Sequence, residues 1–241
     1  MLKVASYNIK CGSMTGFDYS MQGLDLKNAE ADIAGIQEVD ERTERNGYTE
    51  TMASLSTFSE LCHFRFTEAM PYRGGSYGIG ILSRYKPHSI YTARLPSQSG
   101  LEPRVFCALL LEIDGAPLYF INTHLSYESQ TLQKKQMSAL GEYVSTLKYP
   151  FVLTGDFNTE NFTLFDTMSE SAKSPVQLMN SSQSRFASFY PENAAIDNIV
   201  ISKGLKFIDK GMYTLSKNSD HYMIYAQIEF ENQVKFPEPQ L

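Results

Sequence analysis

An aspartate and an asparagine two residues apart, Asp156 and Asn158, follow a short apolar run of Phe151, Val152 and Leu153. Pro150 suits the start of a strand and Gly155 breaks it, so residues 149–158 read as a buried strand that delivers a carboxylate and an amide to one spot. In sheets buried on both faces, such ends are where ligands bind. The pair offers hard oxygen ligands and an amide able to orient water or an anion, and taken alone it is equally the composition of an Asx turn. Further segments end in the same manner. Asn8 closes a β-rich run at 2–9, Glu38 closes the apolar run 32–39, and His124 closes 117–125. Asp197 opens 196–202, and Asp220 and His221 lie in a loop before the alternating run 223–231.

Carboxylates gathered at one sheet edge repel each other unless a cation sits among them. The set is oxygen-rich and lacks cysteine, which suits a hard ion, Mg²⁺ or Mn²⁺, rather than structural zinc. The histidines add donors for an anionic oxygen, and Asp197 is placed to hold His221 in one tautomer and raise its pKa. No serine or cysteine nucleophile motif accompanies them. The chemistry indicated is attack by water on phosphorus, with the protein supplying position and charge stabilisation.

The elements that position these residues follow from periodicity. Strands are expected at 2–9, 32–39, 104–114, 117–125, 151–154, 196–202 and 223–231, with a hairpin from 65–69 and 78–83 across the turn at 73–75. Helices are expected at 24–31, 51–62 and 130–148, the last with apolar residues at Leu132, Met137, Leu140, Val144 and Leu147. The stretch 12–23 reads as a long loop lining a cleft, and 162–184 as polar with some helix near 163–168. The halves 2–38 and 117–158 share one plan: a strand ending in a polar residue, a helix, and a strand ending in an acid. The runs 196–202 and 223–231 read as the second half's hairpin. Two sheets packed face to face with helices outside is the natural arrangement.

Composition narrows the class. At 241 residues, 42% hydrophobic and 20% charged, the chain has ordinary globular composition. It shows no apolar run of bilayer length and no secretory leader pattern, so a soluble, cytoplasmic protein is expected, and a monomer. Cys11, Cys62 and Cys107 make neither a disulfide framework nor a zinc motif and read as reduced core or near-core residues. A net charge of −6 opposes sequence-independent binding to duplex nucleic acid. Asp18, Asp25 and Asp209 read as ordinary helix or loop acids.

The set of Tyr7–Asn8, Gln37–Glu38, YGIGILSR at 77–84, NTHL at 122–125, GDFN at 155–158, IDNI around Asp197 and SDH at 219–221 resembles the endonuclease/exonuclease/phosphatase superfamily. The resemblance runs from Val4 to Phe230 and implies an α/β fold: a four-layer α/β sandwich, two packed mixed β-sheets flanked by helices. It also implies one catalytic domain over 1–231, followed by a tail at 232–241. Carried onto this chain, Glu38 resembles the principal metal ligand, with Asn8 beside it and Asp220 near enough to share the ion or its waters. Asp156 would orient or deprotonate the attacking water, and Asn158 would hold the phosphoryl group. His221, paired with Asp197, would stabilise developing charge, and His124 would contact another phosphate oxygen or protonate the leaving group. Arg104 resembles a phosphate-facing arginine, against the plainer reading of a solvated strand-start residue. Ile79 stands where many members place Asn, a departure bearing on polar substrate contacts. The resemblance implies a Mg²⁺- or Mn²⁺-dependent phosphoesterase. The acidic balance favours a small or lipid-derived phosphate ester over DNA, and a catalytically silent phosphate-binding module is the alternative from another class.

Overall fold

The structure, a computed structural model, describes residues 1–231; the tail read at 232–241 lies outside them. In chain order the first strands are β1 (Leu2–Asn8), β2 (Ile33–Glu41), β3 (His63–Tyr72), β4 (Gly75–Ser83), β5 (Ser89–Arg94) and β6 (Val105–Ile113). They are followed by β7 (Ala116–His124), β8 (Phe151–Asp156), β9 (Val176–Leu178), β10 (Asp197–Ser202), β11 (Leu205–Tyr213) and β12 (Met223–Phe230). Among the described residues they form two six-stranded sheets, ordered β11-β12-β1-β2-β4-β3 and β5-β6-β7-β8-β10-β9. Each sheet has one parallel pair at its centre, β1 with β2 and β7 with β8, among antiparallel neighbours.

Strand alternation sorts the side chains into layers. Val4, Ile33, Ile79 and Ile81 of the first sheet meet Cys107, Leu109, Leu118, Phe120, Val152 and Ile199 of the second in one apolar interior. The opposite face of the first sheet, with Ala5, Tyr7 and Ile36, is covered by α1 (Tyr19–Asn28) and α2 (Thr51–Ser59) through Leu26, Met52 and Leu55. The opposite face of the second, with Phe106, Ile121 and Leu153, takes Met137 and Leu140 of α3 (Gln130–Ser145) and Phe165 and Met168 of α4 (Leu164–Ala172). The result is the four-layer α/β sandwich expected from the sequence. No described helix is long and apolar enough to cross a membrane.

Several sequence expectations change. β10 and β12 do not pair as a hairpin: β10 joins β8 and β9 in the second sheet, while β12 joins β1 and β11 in the first. The expected loop at 12–23 is a 3₁₀ turn over Lys10–Thr15 followed by α1, which begins at Tyr19 because the Asp18 side chain caps the Ser20 N–H. Strands β5, β9 and most of β11 carry too little apolar alternation to be read as strands. Cys11 and Cys107 are buried, but Cys62 is exposed.

Candidate active site

The same alternation that builds the interior places the polar residues. On β1, Leu2 and Val4 point between the sheets and Ala5 and Tyr7 point to the helices, so Asn8 falls on the inner face at the strand end. Equal counting from Leu118 and Phe120 gives His124, from Val152 gives Asp156, and from Ile199 gives Asp197. Register then aligns them, because His124 lies opposite Asp156 across β7/β8 and Asp156 opposite Asp197 across β8/β10. Glu38 arrives by an irregularity. The β2/β4 register shifts between Ile36 and Val39, and Glu38 takes φ +54°, so the bulge turns its carboxylate towards Asn8.

A hydrogen-bonded chain crosses from one sheet to the other. The Asn8 Nδ2 donates to Glu38 Oε1 and to Asp156 Oδ2, both at 2.9 Å, while the Lys10 N–H donates to Asn8 Oδ1 at 3.0 Å. Asp156 Oδ1 accepts the Asn158 N–H at 2.9 Å, so the Asx turn that the sequence offered as an alternative is present within the site itself. Asp156 is buried, and burial first and Asp197 second raise its carboxyl to about 7.

His221 lies beside this chain. Its Nδ1 donates to Asp197 Oδ2 at 2.7 Å, its Nε2 is 3.8 Å from Asp156 Oδ2, and the Phe189 ring packs on it with centroids 4.9 Å apart. Burial, the largest single influence, would lower its pKa, but Asp197, Asp156 and Asp220 together outweigh it and raise the value to about 10. His221 is therefore an imidazolium with Nδ1 committed and Nε2–H directed at the site. His124 is the opposite case. Burial, Arg104 and His221 push its pKa well below the usual value, leaving a neutral ring. The Asn158 Nδ2 donates to the Leu125 carbonyl at 3.0 Å and lies 3.0 Å from His124 Nε2, which fixes that nitrogen as the unprotonated acceptor. In this arrangement the Asn158 Nδ2 and the His124 Nε2 are engaged with each other.

Arg104 is buried, not solvated. Its Nη1 meets Glu102 Oε1 at 2.7 Å, its Nε is buried without a hydrogen-bond partner, and it lines a small pocket with Tyr77, Ile79 and His124. Asp220, expected near the ion, has its Oδ2 in contact with the Lys10 ammonium.

The donor set fits a divalent ion on charge grounds. Among the described residues, Lys10 meets Asp220 and His221 meets Asp197, while Arg104 is paired with Glu102 and brings no charge to Glu38 and Asp156. Burial, with Asp197 second, raises the Asp156 carboxyl, and a hard cation on the oxygens of Glu38, Asn8 and Asp220 would offset the negative charge gathered there. Among the described residues, ligand atoms of Asp156, Asp197 and His221 also lie within 4.8 Å of one another. In that trio His221 Nδ1 is already committed to Asp197, which leaves Nε2 as the ring nitrogen that could ligate an ion, and only once deprotonated.

The sequence reading missed four residues that shape the site. Ser188 Oγ donates to Asp197 Oδ2 at 2.5 Å and Phe189 covers His221, both from a loop without a recognisable motif. Lys10 lies two residues beyond Asn8, and its reach to a residue 210 positions away has no local signal. Asp25, taken for an ordinary acid, is buried under hydrogen bonds from Tyr7, Ser216 and Asn218.

Comparisons with known proteins bear on the fold and the family. Three solved structures superpose over nearly the whole chain at low identity. The mannosyl-6-phosphatase of Bacteroides thetaiotaomicron gives a TM-score of 0.71 at 17% identity, over 95% of this chain and 100% of that one. The human Nocturnin catalytic domain with bound sulfate gives 0.69 at 18%, over 95% and 94%. ANGEL2, a 2′,3′-cyclic phosphatase in complex with adenosine-2′,3′-vanadate, gives 0.72 at 16%, over 96% of each. No curated protein matches the sequence. The family model described as Endonuclease/Exonuclease/phosphatase family matches residues 5–221, which take in every residue of the constellation from Asn8 to His221, and this chain belongs to that family.

Proposed function

We propose that the protein is a divalent-metal-dependent phosphoesterase that directs water onto phosphorus, with a small phosphate ester as substrate. The observation that carries the reading is the continuous chain Glu38–Asn8–Asp156 set beside the His221–Asp197 pair, where the two sheets meet at one edge. Glu38, Asn8 and Asp220 would hold Mg²⁺ or Mn²⁺, which when bound supplies Lewis-acid stabilisation of phosphoryl charge. The protein's own residues do the remainder. Asp156, fixed through both carboxylate oxygens by Asn8 and the Asn158 N–H, is placed to orient a water and take its proton. His221, protonated and held by Asp197, presents Nε2–H to the oxygen that gains charge as phosphorus is attacked. The unpartnered Arg104 Nε offers a further donor to a phosphate oxygen.

The small-ester reading draws on the net charge of −6. It also draws on the names of two structural relatives, a mannosyl-6-phosphatase and a 2′,3′-cyclic phosphatase. The test is hydrolysis of p-nitrophenyl phosphate, bis(p-nitrophenyl) phosphate, sugar phosphates, cyclic nucleotides and plasmid DNA, with Mg²⁺ or Mn²⁺ and with EDTA. Turnover of a small ester that EDTA abolishes is expected. EDTA-insensitive turnover would remove the metal from the reading, and efficient DNA cleavage at physiological salt would replace the substrate.

A further inference from the structure

We propose that the ammonium group of Lys10 acts as a built-in stand-in for the cation on the Asp220 side of the site, so that a divalent ion must displace it to engage Asp220. The inference rests on the reading of Glu38, Asn8 and Asp220 as ion-holding residues. Lys10 is the second residue beyond the end of β1 and takes φ +45°, a left-handed conformation that non-glycine residues seldom adopt. Its backbone is pinned at both ends, by its N–H to Asn8 Oδ1 at 3.0 Å and by the Ser13 hydroxyl to its carbonyl at 2.9 Å. The side chain leaves this anchored point and ends on Asp220 Oδ2. Glu38 and Asp220 both act on the ammonium electrostatically, so it lies in the field of the same two carboxylates that would bind an ion.

Chemistry makes the two cations competitors. An ammonium is a single charge with N–H donors, and it occupies a carboxylate oxygen that a divalent ion also needs. The lysine side chain is 45% exposed and that of Asp220 12%, so the pair sits at the mouth of the site, where it is weak and reversible. Without an ion, Lys10 relieves repulsion between Glu38 and Asp220; with one, it has to leave Asp220.

The test is isothermal titration of Mn²⁺ into the full chain without substrate, comparing wild type with Lys10→Met, Lys10→Arg and Asp220→Asn. Lys10→Met should bind Mn²⁺ about three- to tenfold more tightly, the range an exposed pair plus removal of a like charge supports. Lys10→Arg, which keeps the charge, should stay near wild type. In the Asp220→Asn background the gain from Lys10→Met should shrink, because the competition is over that carboxylate. If Lys10→Met binds no more tightly than wild type while Asp220→Asn weakens binding, the displacement idea fails and the ion site stands. If neither wild type nor Lys10→Met takes up Mn²⁺, both fall together.

Discussion

At the scale of single residues, the site works through opposed charge states held a few ångströms apart. His221 is kept charged by Asp197, while His124, also buried, is kept neutral by burial and two neighbouring cations. The Asp197–His221 pair should therefore behave as a unit. Replacing Asp197 by Asn removes the charge that holds His221 as an imidazolium, and replacing His221 by Ala removes the donor itself. Each change should lower kcat by roughly two orders of magnitude, with a smaller effect on KM, since the interaction develops in the transition state. The double variant should be little worse than either single one. Steady-state kinetics on the best substrate checks this, and additive losses would mean that the two residues act separately. Asn8 and Asp156 were legible in the sequence because each closes an apolar run, Asp197 because it opens one, and Glu38 because the apolar run 32–39 gives out there, although the structure places it at a bulge inside β2. Ser188 and Phe189 were not, because a loop residue acquires its role only from what it packs against.

At the scale of elements, the loop that carries Asp220 and His221 is positioned by α1 from the other side of the first sheet. Asp25 Oδ2 accepts from Tyr7 at 3.1 Å, Ser216 at 2.7 Å and Asn218 at 2.9 Å, and Gln22 Nε2 reaches the carbonyls of Ile9 and Asn218, both at 2.8 Å. Burial raises the Asp25 carboxyl above its usual range, with these donors pulling the other way. Within the raised interval the folded chain keeps a proton that the unfolded chain has released. The stability contributed by the protonated form is thus complete in acid, below the ordinary carboxylate range, and is lost as pH climbs through the raised value. Asp25→Asn keeps an acceptor oxygen for these donors, with two lone pairs to offer, and has no proton to lose. Its thermal midpoint relative to wild type should be most favourable at neutral pH, and the difference should shrink as pH falls towards about 4. Melts across that range test it, and a gap that is constant or widens in acid would contradict the assignment. The sequence missed this clamp because α1 begins five residues earlier than its periodicity suggested. It missed β5, β9 and β11 for a related reason: edge strands or exposed strands need little apolar alternation.

At the scale of the whole molecule, the site exists only if the two sheets keep a fixed separation and register, and a buried polar staple beneath it does this. Asn122 of β7 donates to the carbonyls of Ile36 at 2.9 Å and Gly80 at 2.8 Å in the opposite sheet, and its Oδ1 accepts from Gln37 at 2.7 Å and Thr154 at 3.2 Å. Gly35 makes the approach possible, since a Cβ there would lie 2.1 Å from Thr154 Oγ1 and 2.5 Å from Asn122 Oδ1. These contacts span about a third of the chain, the Gln37–Asn122 bond being 85 residues apart in sequence, so local pattern could announce Asn122 only as a strand residue near His124. The Ile36 carbonyl it holds borders the bulge that turns Glu38 into the site, which ties inter-sheet packing to the candidate ion ligand. Asn122→Ala would remove four hydrogen bonds from a dry interior, with the Gln37 amide falling back on Ser6 Oγ and the Thr154 hydroxyl on the Ile121 carbonyl, at a cost of roughly 3 kcal/mol. For a chain of this size that is a fall of roughly 6–12 °C in the thermal midpoint. Loss of the staple also frees the bulge, so kcat measured well below the new midpoint, on fully folded protein, should fall about tenfold or further. A variant that melts early yet turns over at the wild-type rate when folded would show that the staple holds the sheets together without setting the geometry at Glu38.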